Sequence, residues 1–365
     1  MESSSTLKKE HKRSFGLDIV RAIAISLVLI AHFAYKFEHF GFWGVEMFFA
    51  LSGFLIGQIL WKSYTYKENW STGMVFNFWS RRWWRTLPNY YLFLLVMLAF
   101  HNYFDGGLPP LSELSDYLWF GQNLMSRNAN FFGVSWSLCI EEWFYLLFPS
   151  VLFCLSKLKV SKRITFSLTI LIFVIFSIVM RQYFIDKGVG HSVRGITLAR
   201  LDAICFGVMV AFIFSGSVLR ENLKKILFVL GFILLSISLY IVYFSGLTYE
   251  QIKENQVVLT ITPLAFALVL PVVERWPGLK FNFINTAVTK MSLWSYSIYL
   301  CHIPVLFVCY EVFDFLRTSA IGNMISKIIG LAITIAISGL IYKYFEVPLT
   351  KKRPKDSISG DKINK

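Results

Sequence analysis

Charge is what this sequence has least of. Only 16% of its 365 residues are Asp, Glu, Lys or Arg, against about 25% in soluble domains, and they sit in short stretches between long apolar runs. With 56% hydrophobic and 18% aromatic residues, this speaks against a soluble domain. It places the chain in a bilayer, where lipid cannot solvate charge and each span satisfies its backbone internally as helix. Cysteine pairing is missing too. Cys139, Cys154, Cys205, Cys301 and Cys309 lie inside or at the ends of apolar segments, with no CxxC pair and no Cys/His metal spacing. They read as small lipid- or core-facing residues, and no metal site is expected. The formal charge of +14 forms no basic stripe with interleaved aromatics, so nucleic acid is not an expected partner. There is no fixed-period repeat and no inverted pair of broken helices of the kind transporters show, and no second domain is expected in the residues after Thr350.

Ten apolar runs near 20 residues remain, at about 15–35, 42–61, 86–104, 135–156, 164–184, 195–215, 224–245, 256–274, 291–313 and 324–346. The first follows Lys8, Lys9, Lys12 and Arg13, a signal-peptide-like start. It also contains Asp18, Arg21 and His32, which a cleavable signal core would not carry, so it reads as a retained span. Lys and Arg then orient the bundle, since cytoplasmic loops hold the excess. One face carries 25 of them and the other 8, with Arg21, Arg200 and Lys343 inside spans. The expected architecture is an all-α polytopic bundle of ten spans with both termini cytoplasmic. It comprises a basic tail at 1–14, a membrane domain at 15–349 and a second basic tail at 350–365. A short segment at 116–124 is a candidate re-entrant piece.

The charges left inside spans are costly there and point to a polar cavity. Arg21 and His32 are eleven residues apart, roughly 16 Å along one helix face. Asp18, three residues before Arg21, can pair with it. His32 has no local partner and suits the role of general base at neutral pH. The bland alternative has Arg21 snorkelling to the inner surface and His32 at the outer interface. Glu46 is the one carboxylate of span two, beside Ser52 and Gly53, whose small size permits close helix approach. At the depth of His32 it could orient that ring; it could also be an exposed interfacial acid. Arg81, Arg82 and Arg85 edge span three among aromatics. They are either a positive-inside flank or, since Arg82 and Arg85 share a face, a site for the phosphates of coenzyme A. Span four places Glu141 and Glu142 together in the bilayer, about 100° apart, with Ser137 one turn from Glu141. Arg200 and Asp202 lie in span six, and span nine carries Ser295, Tyr296, Ser297, Tyr299 and His302, a rival base. Glu346 closes the tenth span, either as a functional group or as a plain helix-end charge.

These residues, in this order, resemble the acyltransferase 3 family of membrane O-acyltransferases over about 15–349. The Asp18, Arg21 and His32 spacing is similar to the family's early pattern, and Gly44 to Gly53 to its glycine-acidic-Phe-Phe-Leu-Ser-Gly pattern, with Glu46 where Asp is commoner. Arg82, Arg85 and Pro88 match its Arg-x-x-Arg and following Pro, Trp136 to Glu141 its Trp-Ser-Leu-x-x-Glu, Ser295 to His302 its Ser-Tyr-Ser-x-Tyr-x-x-His, and Phe345 to Pro348 its closing Phe-Glu-x-Pro. The resemblance implies transfer of an acyl group, usually acetyl, from acyl-CoA to an extracytoplasmic sugar hydroxyl, such as a lipopolysaccharide O-antigen or another surface glycan. The setting it implies is a bacterial inner membrane, with acetyl-CoA as co-substrate and a glycan or lipid-linked sugar as acceptor.

On that reading CoA phosphates sit at Arg82 and Arg85, aided by Arg81, and the pantetheine arm passes Arg21 toward His32. His32 deprotonates the acceptor or takes the acyl group itself, while Glu46 or Glu141 holds the imidazole tautomer. Asp18, Ser137, Glu142, Arg200, Asp202, Tyr296 and His302 support the site. Some relatives carry an extra extracytoplasmic hydrolase-like domain that this sequence is expected to lack. The bundle then finishes the transfer alone or with a separate extracytoplasmic transferase or a second copy. The rival class is a secondary transporter with a buried Arg/His/Glu path. A structural scaffold leaves the buried carboxylates and histidines unexplained.

Overall fold

The computed structural model describes residues 13–34, 37–66, 70–104, 106–126, 131–188, 192–215, 221–313, 315 and 319–355. Most of both basic tails, and the loop cations Lys36, Lys67, Arg127 and Arg317, lie outside the described residues.

Helices form wherever an apolar run is long enough, and polar caps open several of them. Helix α1 (Phe15–Phe33) begins at Ser14, whose side chain accepts from the Leu17 amide, with Asp18 in its first turn. It is followed by α2 (Glu38–Tyr66), α3 (Thr72–Phe104), the short α4 (Leu111–Leu118) and α5 (Trp136–Leu155). Then come α6 (Lys162–Asp186), capped by Ser161, α7 (Leu201–Phe214), α8 (Glu221–Phe244) and α9 (Tyr249–Glu254), which opens on a Thr248/Gln251 capping box. The chain ends with α10 (Gln256–Val273), α11 (Asn282–Val312), α12 (Ala320–Ile341), a π-helical turn at Tyr342–Glu346 and α13 (Val347–Lys351). The described residues contain no strand.

The protein is thus an all-α polytopic bundle. Among the described residues, nine helices are long and apolar enough to cross a membrane, one fewer than the ten runs expected. The difference is α3. It is 33 residues long, but Arg81, Arg82, Arg85, Pro88, Asn89 and His101 dilute its apolar content, so length alone carries it. The expected sixth span also starts differently. Residues 193–199 are two 3-10 turns, Val193–Gly195 and Thr197–Ala199, and regular helix begins only at Leu201. That irregular entry aims Arg194 and Arg200 into the bundle.

The close contact of α2 with α7 follows from small residues. A Cβ on Gly53 of α2 would stand 1.9 Å from the Ile204 carbonyl oxygen of α7, and one on Gly207 would stand 2.2 Å from the Ala50 oxygen. Only glycine allows these backbones to meet so closely. Segment 116–124, the re-entrant candidate, packs against the same entry to α7. Gln122 and Asn123 are buried, and the Thr197 and Leu198 amides donate to the Asn123 and Leu124 carbonyls at 2.8 and 3.3 Å. Cys139, Cys205, Cys301 and Cys309 are buried and Cys154 is exposed; all five are free thiols.

Candidate active site

Five helices converge on an internal chamber of about 120 Å³. Arg21 enters it from α1, Ser52 and Phe48 from α2, Arg82, Arg85 and Thr86 from α3, Ser137, Glu141 and Tyr145 from α5, and Ser295, Tyr296 and Tyr299 from α11. Their heights follow from helix direction. Along α5 the order is Tyr145, Glu141, Ser137, and along α11 it is Ser295, Tyr299, each step about one turn. The chamber is therefore polar along its length and closed at its far end by Phe48, Leu138, Tyr299 and Val45.

Inside it the hydroxyls are linked. Ser52 Oγ is hydrogen-bonded to Tyr145 Oη, which donates to Glu141 Oε2 at 3.2 Å. The Arg82 guanidinium faces the Tyr145 ring at 5.8 Å. Ser137 Oγ and Tyr299 Oη share a 2.6 Å hydrogen bond, and Tyr299 also donates to the Val134 carbonyl at 3.0 Å. Tyr296 Oη donates to the Thr86 carbonyl at 2.8 Å, which fixes α11 against α3.

A second, wider cavity of about 560 Å³ adjoins the first, and the two share Arg21, Leu55 and Arg85. Five cations line it, Arg13, Arg21, Arg85, Lys351 and Arg353, against Asp18, Glu274 and Glu346, an excess of two positive charges. The acids are already engaged. Asp18 accepts from Arg13 at 2.6 Å and from Arg21 at 3.2 Å, and Ser292 bridges the three. Glu274 accepts from Gln58 at 3.0 Å, and Glu346 accepts from Asn89 and Ser297 at 2.9 and 2.7 Å. Glu346 is thus a bonded wall residue rather than a free helix-end charge. The expected Asp18–Arg21 pair is present, with Arg13 as its unforeseen third member.

Several expected roles move. Arg81 lies outside both cavity linings: its Nη1 donates to the Pro354 carbonyl at 2.6 Å, because one residue before Arg82 is about 100° around the helix. Glu142 is likewise buried outside the chamber lining, its Oε2 without a partner. Glu46 does not orient His32. It is fully buried between two guanidiniums, accepting from Arg194 Nε at 3.1 Å and forming a short ion pair with Arg200 Nη2. Next to it Asp202 pairs with Arg181 at 2.7 Å, and Arg181 also donates to Thr260 at 2.9 Å. Arg194 further stacks between Phe42 and Trp136, its guanidinium 4.8 and 4.6 Å from the ring centres. Arg181 and Arg194, counted from sequence as outer-loop charges, are internal counterions of Glu46 and Asp202.

His32 lines neither cavity. Its partner is His302, with ring centres 4.7 Å apart in an edge-on arrangement. His302 in turn lies 5.9 Å from Tyr299, so the histidine pair sits one turn beyond the closed end of the chamber. The tautomer of each ring is set by its own helix. His32 Nδ1 is 2.8 Å from the Val28 carbonyl and His302 Nδ1 is 3.2 Å from that of Ile298. A carbonyl oxygen only accepts, so in the neutral ring the proton is on Nδ1 and the Nε2 lone pair is left for chemistry. For His302 that atom is buried and without a partner. No carboxylate is needed to hold either imidazole. Among the described residues no cluster of three or more His, Cys, Asp or Glu could hold a metal ion.

The chain is similar to known proteins. The family model for an acyltransferase domain matches residues 14–343. O-acetyltransferase OatA of Staphylococcus aureus strain NCTC 8325 is 26% identical over 362 residues, covering 92% of this chain and 57% of the relative. The protein of the same name from strain COL gives the same identity and coverage. The chain therefore spans a little over half the length of these curated relatives. No solved structure matches it.

Proposed function

The chain belongs to this acyltransferase family, and from that premise we propose that it is a membrane O-acetyltransferase that takes acetyl from cytosolic acetyl-CoA and passes it to a glycan hydroxyl across the membrane. The observation that carries the reading is the pair of joined cavities. A wide cationic vestibule leads past Arg21 and Arg85 into a narrow chamber lined with hydroxyls. That shape suits a donor with a polyanionic nucleotide head and a slim arm ending in a thioester. The vestibule guanidiniums pair with phosphate oxygens, and the arm enters the chamber where Arg82 and Glu141 face it. The bias of basic residues, 25 against 6 once the internal Arg181 and Arg194 are taken out of the outer count of 8, supports a cytosolic vestibule and cytoplasmic termini, in a bacterial inner membrane.

On the far side, His32 serves as the base for the acceptor hydroxyl. Its half-buried ring offers a free Nε2, and His302 packs behind it. The acceptor is a sugar of a surface glycan or a lipid-linked precursor, reached directly or through a separate extracytoplasmic transferase. Acetyl transfer is also what the names of these relatives state of those proteins.

Purified full-length protein given labelled acetyl-CoA should release free CoA thiol, and cells expressing it should carry acetylated surface glycan. His32→Ala should lower glycan acetylation by about 10²–10⁴-fold, the usual share of general base catalysis, at unchanged protein level. Unchanged acetylation in that variant would remove His32 from the mechanism. Absence of any CoA release or acetyl-CoA binding would remove the donor.

A further inference from the structure

The far wall of the chamber has an unexplained composition. The neck and middle are polar, with Arg21, Arg82, Glu141 and Tyr145, whereas the blind end sets Val45, Phe48, Phe49 and Leu138 around the mutually bonded hydroxyls of Ser137 and Tyr299. A wall meant only to separate two aqueous sides needs no such shape. Phe48 lines the cavity, is only partly buried, and meets Tyr299 edge-on at 6.4 Å between ring centres. The Tyr299 hydroxyl is tied down by Ser137 and the Val134 carbonyl. Apart from those two bonded hydroxyls, this end of the chamber is apolar where the donor's own terminus would lie.

We propose that this blind end measures the acyl chain, with Phe48 and Leu138 as the residues that restrict the donor to a very short acyl group. The inference rests on the donor reading above. An arm that enters past Arg21 and Arg85 leads with its acyl group, because the anionic head stays in the vestibule. A chamber of about 120 Å³ compares with an apolar cavity of about 150 Å³ that accommodates benzene in another protein. An acetyl group, the thioester sulfur and the adjoining two carbons amount to about six heavy atoms, as benzene does. Each further methylene then presses on Phe48 and Leu138. Close-packed walls resist such overfilling, because neighbours must leave their rotamers to make room. A misfitted methylene in an apolar pocket shifts discrimination by about 10–200-fold.

The measurement is displacement of radiolabelled acetyl-CoA from purified full-length protein by acetyl-, propionyl-, butyryl- and hexanoyl-CoA, which needs no acceptor. With the unaltered chain, hexanoyl-CoA should compete at least about 10-fold less well than acetyl-CoA. Phe48→Ala should reduce that ratio at least about threefold, and Leu138→Ala, a smaller excision at the same wall, should move it in the same direction. The proposal is overturned if hexanoyl-CoA competes as well as acetyl-CoA with the unaltered chain, or if the ratio is unmoved in both variants. Failure of labelled acetyl-CoA to bind the unaltered chain would instead overturn the donor reading beneath it. Phe48→Leu, which keeps an apolar contact with Tyr299, supplies the same ratio should Phe48→Ala not fold.

Discussion

Two regions of this protein bury the same kinds of charge and treat them in opposite ways. Around Glu46 and Asp202 every carboxylate meets a guanidinium, Arg194, Arg200 or Arg181, and the side chains have almost no exposed surface. Around the chamber, Arg21, Arg82, Arg85 and Glu141 face a cavity that joins a wide vestibule. In the first region the protein is its own counterion, and the network ties α2, α6, α7 and α10 together. In the second, Arg21 is held by Asp18 and Ser292 and Glu141 by Tyr145, but Arg82 and Arg85 face the cavity with no carboxylate among the described residues bonded to them, open to something that arrives. Ionisable groups inside a membrane are costly in both places. What separates structure from function is whether the partner is already present.

The comparison breaks most visibly at Glu46. Glu46→Ala leaves Arg194 and Arg200 buried without their acid, and losing one member of a buried pair costs about 3–5 kcal/mol. The expected result is a sharp fall in thermal midpoint in detergent and in the amount of folded protein. A variant that folds normally but no longer binds acetyl-CoA would move Glu46 from the framework into the site.

A smaller effect is expected at the vestibule neck. Arg85 is exposed and shared by both cavities, so Arg85→Gln should leave the fold intact and weaken acetyl-CoA binding about threefold to tenfold. The loss should shrink as salt is raised, because exposed charge is screened. A salt-independent loss would mean that Arg85 acts by shape rather than by charge. The smallest effect is expected one residue from the cavity-facing Arg82. Arg81→Ala removes a hydrogen bond to the Pro354 carbonyl, so donor affinity should stay within about twofold, the scale of a surface change. A loss as large as that from Arg85→Gln would place Arg81 in the vestibule after all.

Much of the architecture was legible in the linear pattern. Nine of the ten apolar runs are helices long and apolar enough to cross a membrane, and the small residues of α2 mark its closest neighbour, since Gly53 meets α7 with no room for a Cβ. The Asp18–Arg21 pair could be read from an interval of three on one helix. Arg82, Arg85, Ser137, Glu141 and Tyr296 were all named from sequence, and all face one chamber. The shortfall was in partners. Arg13, Ser292 and Glu274 give no signal of their own in the sequence, and Arg181 and Arg194 looked like loop charges because each lies near the end of an apolar run. Ser52 was noted only for its size, although it is bonded to Tyr145 in the chamber.

The sequence by itself determined that this is a helical membrane bundle, because apolar length and the exclusion of charge from lipid are properties of consecutive residues. It also determined which helix face each charge occupies, because that depends only on spacing. Only the tertiary structure decided which charges meet. Glu46 finds its guanidiniums 148 and 154 residues away, and His32 finds His302 rather than either glutamate. Such pairings depend on how helices pack side by side, and on an irregular entry to α7 that no periodicity announces.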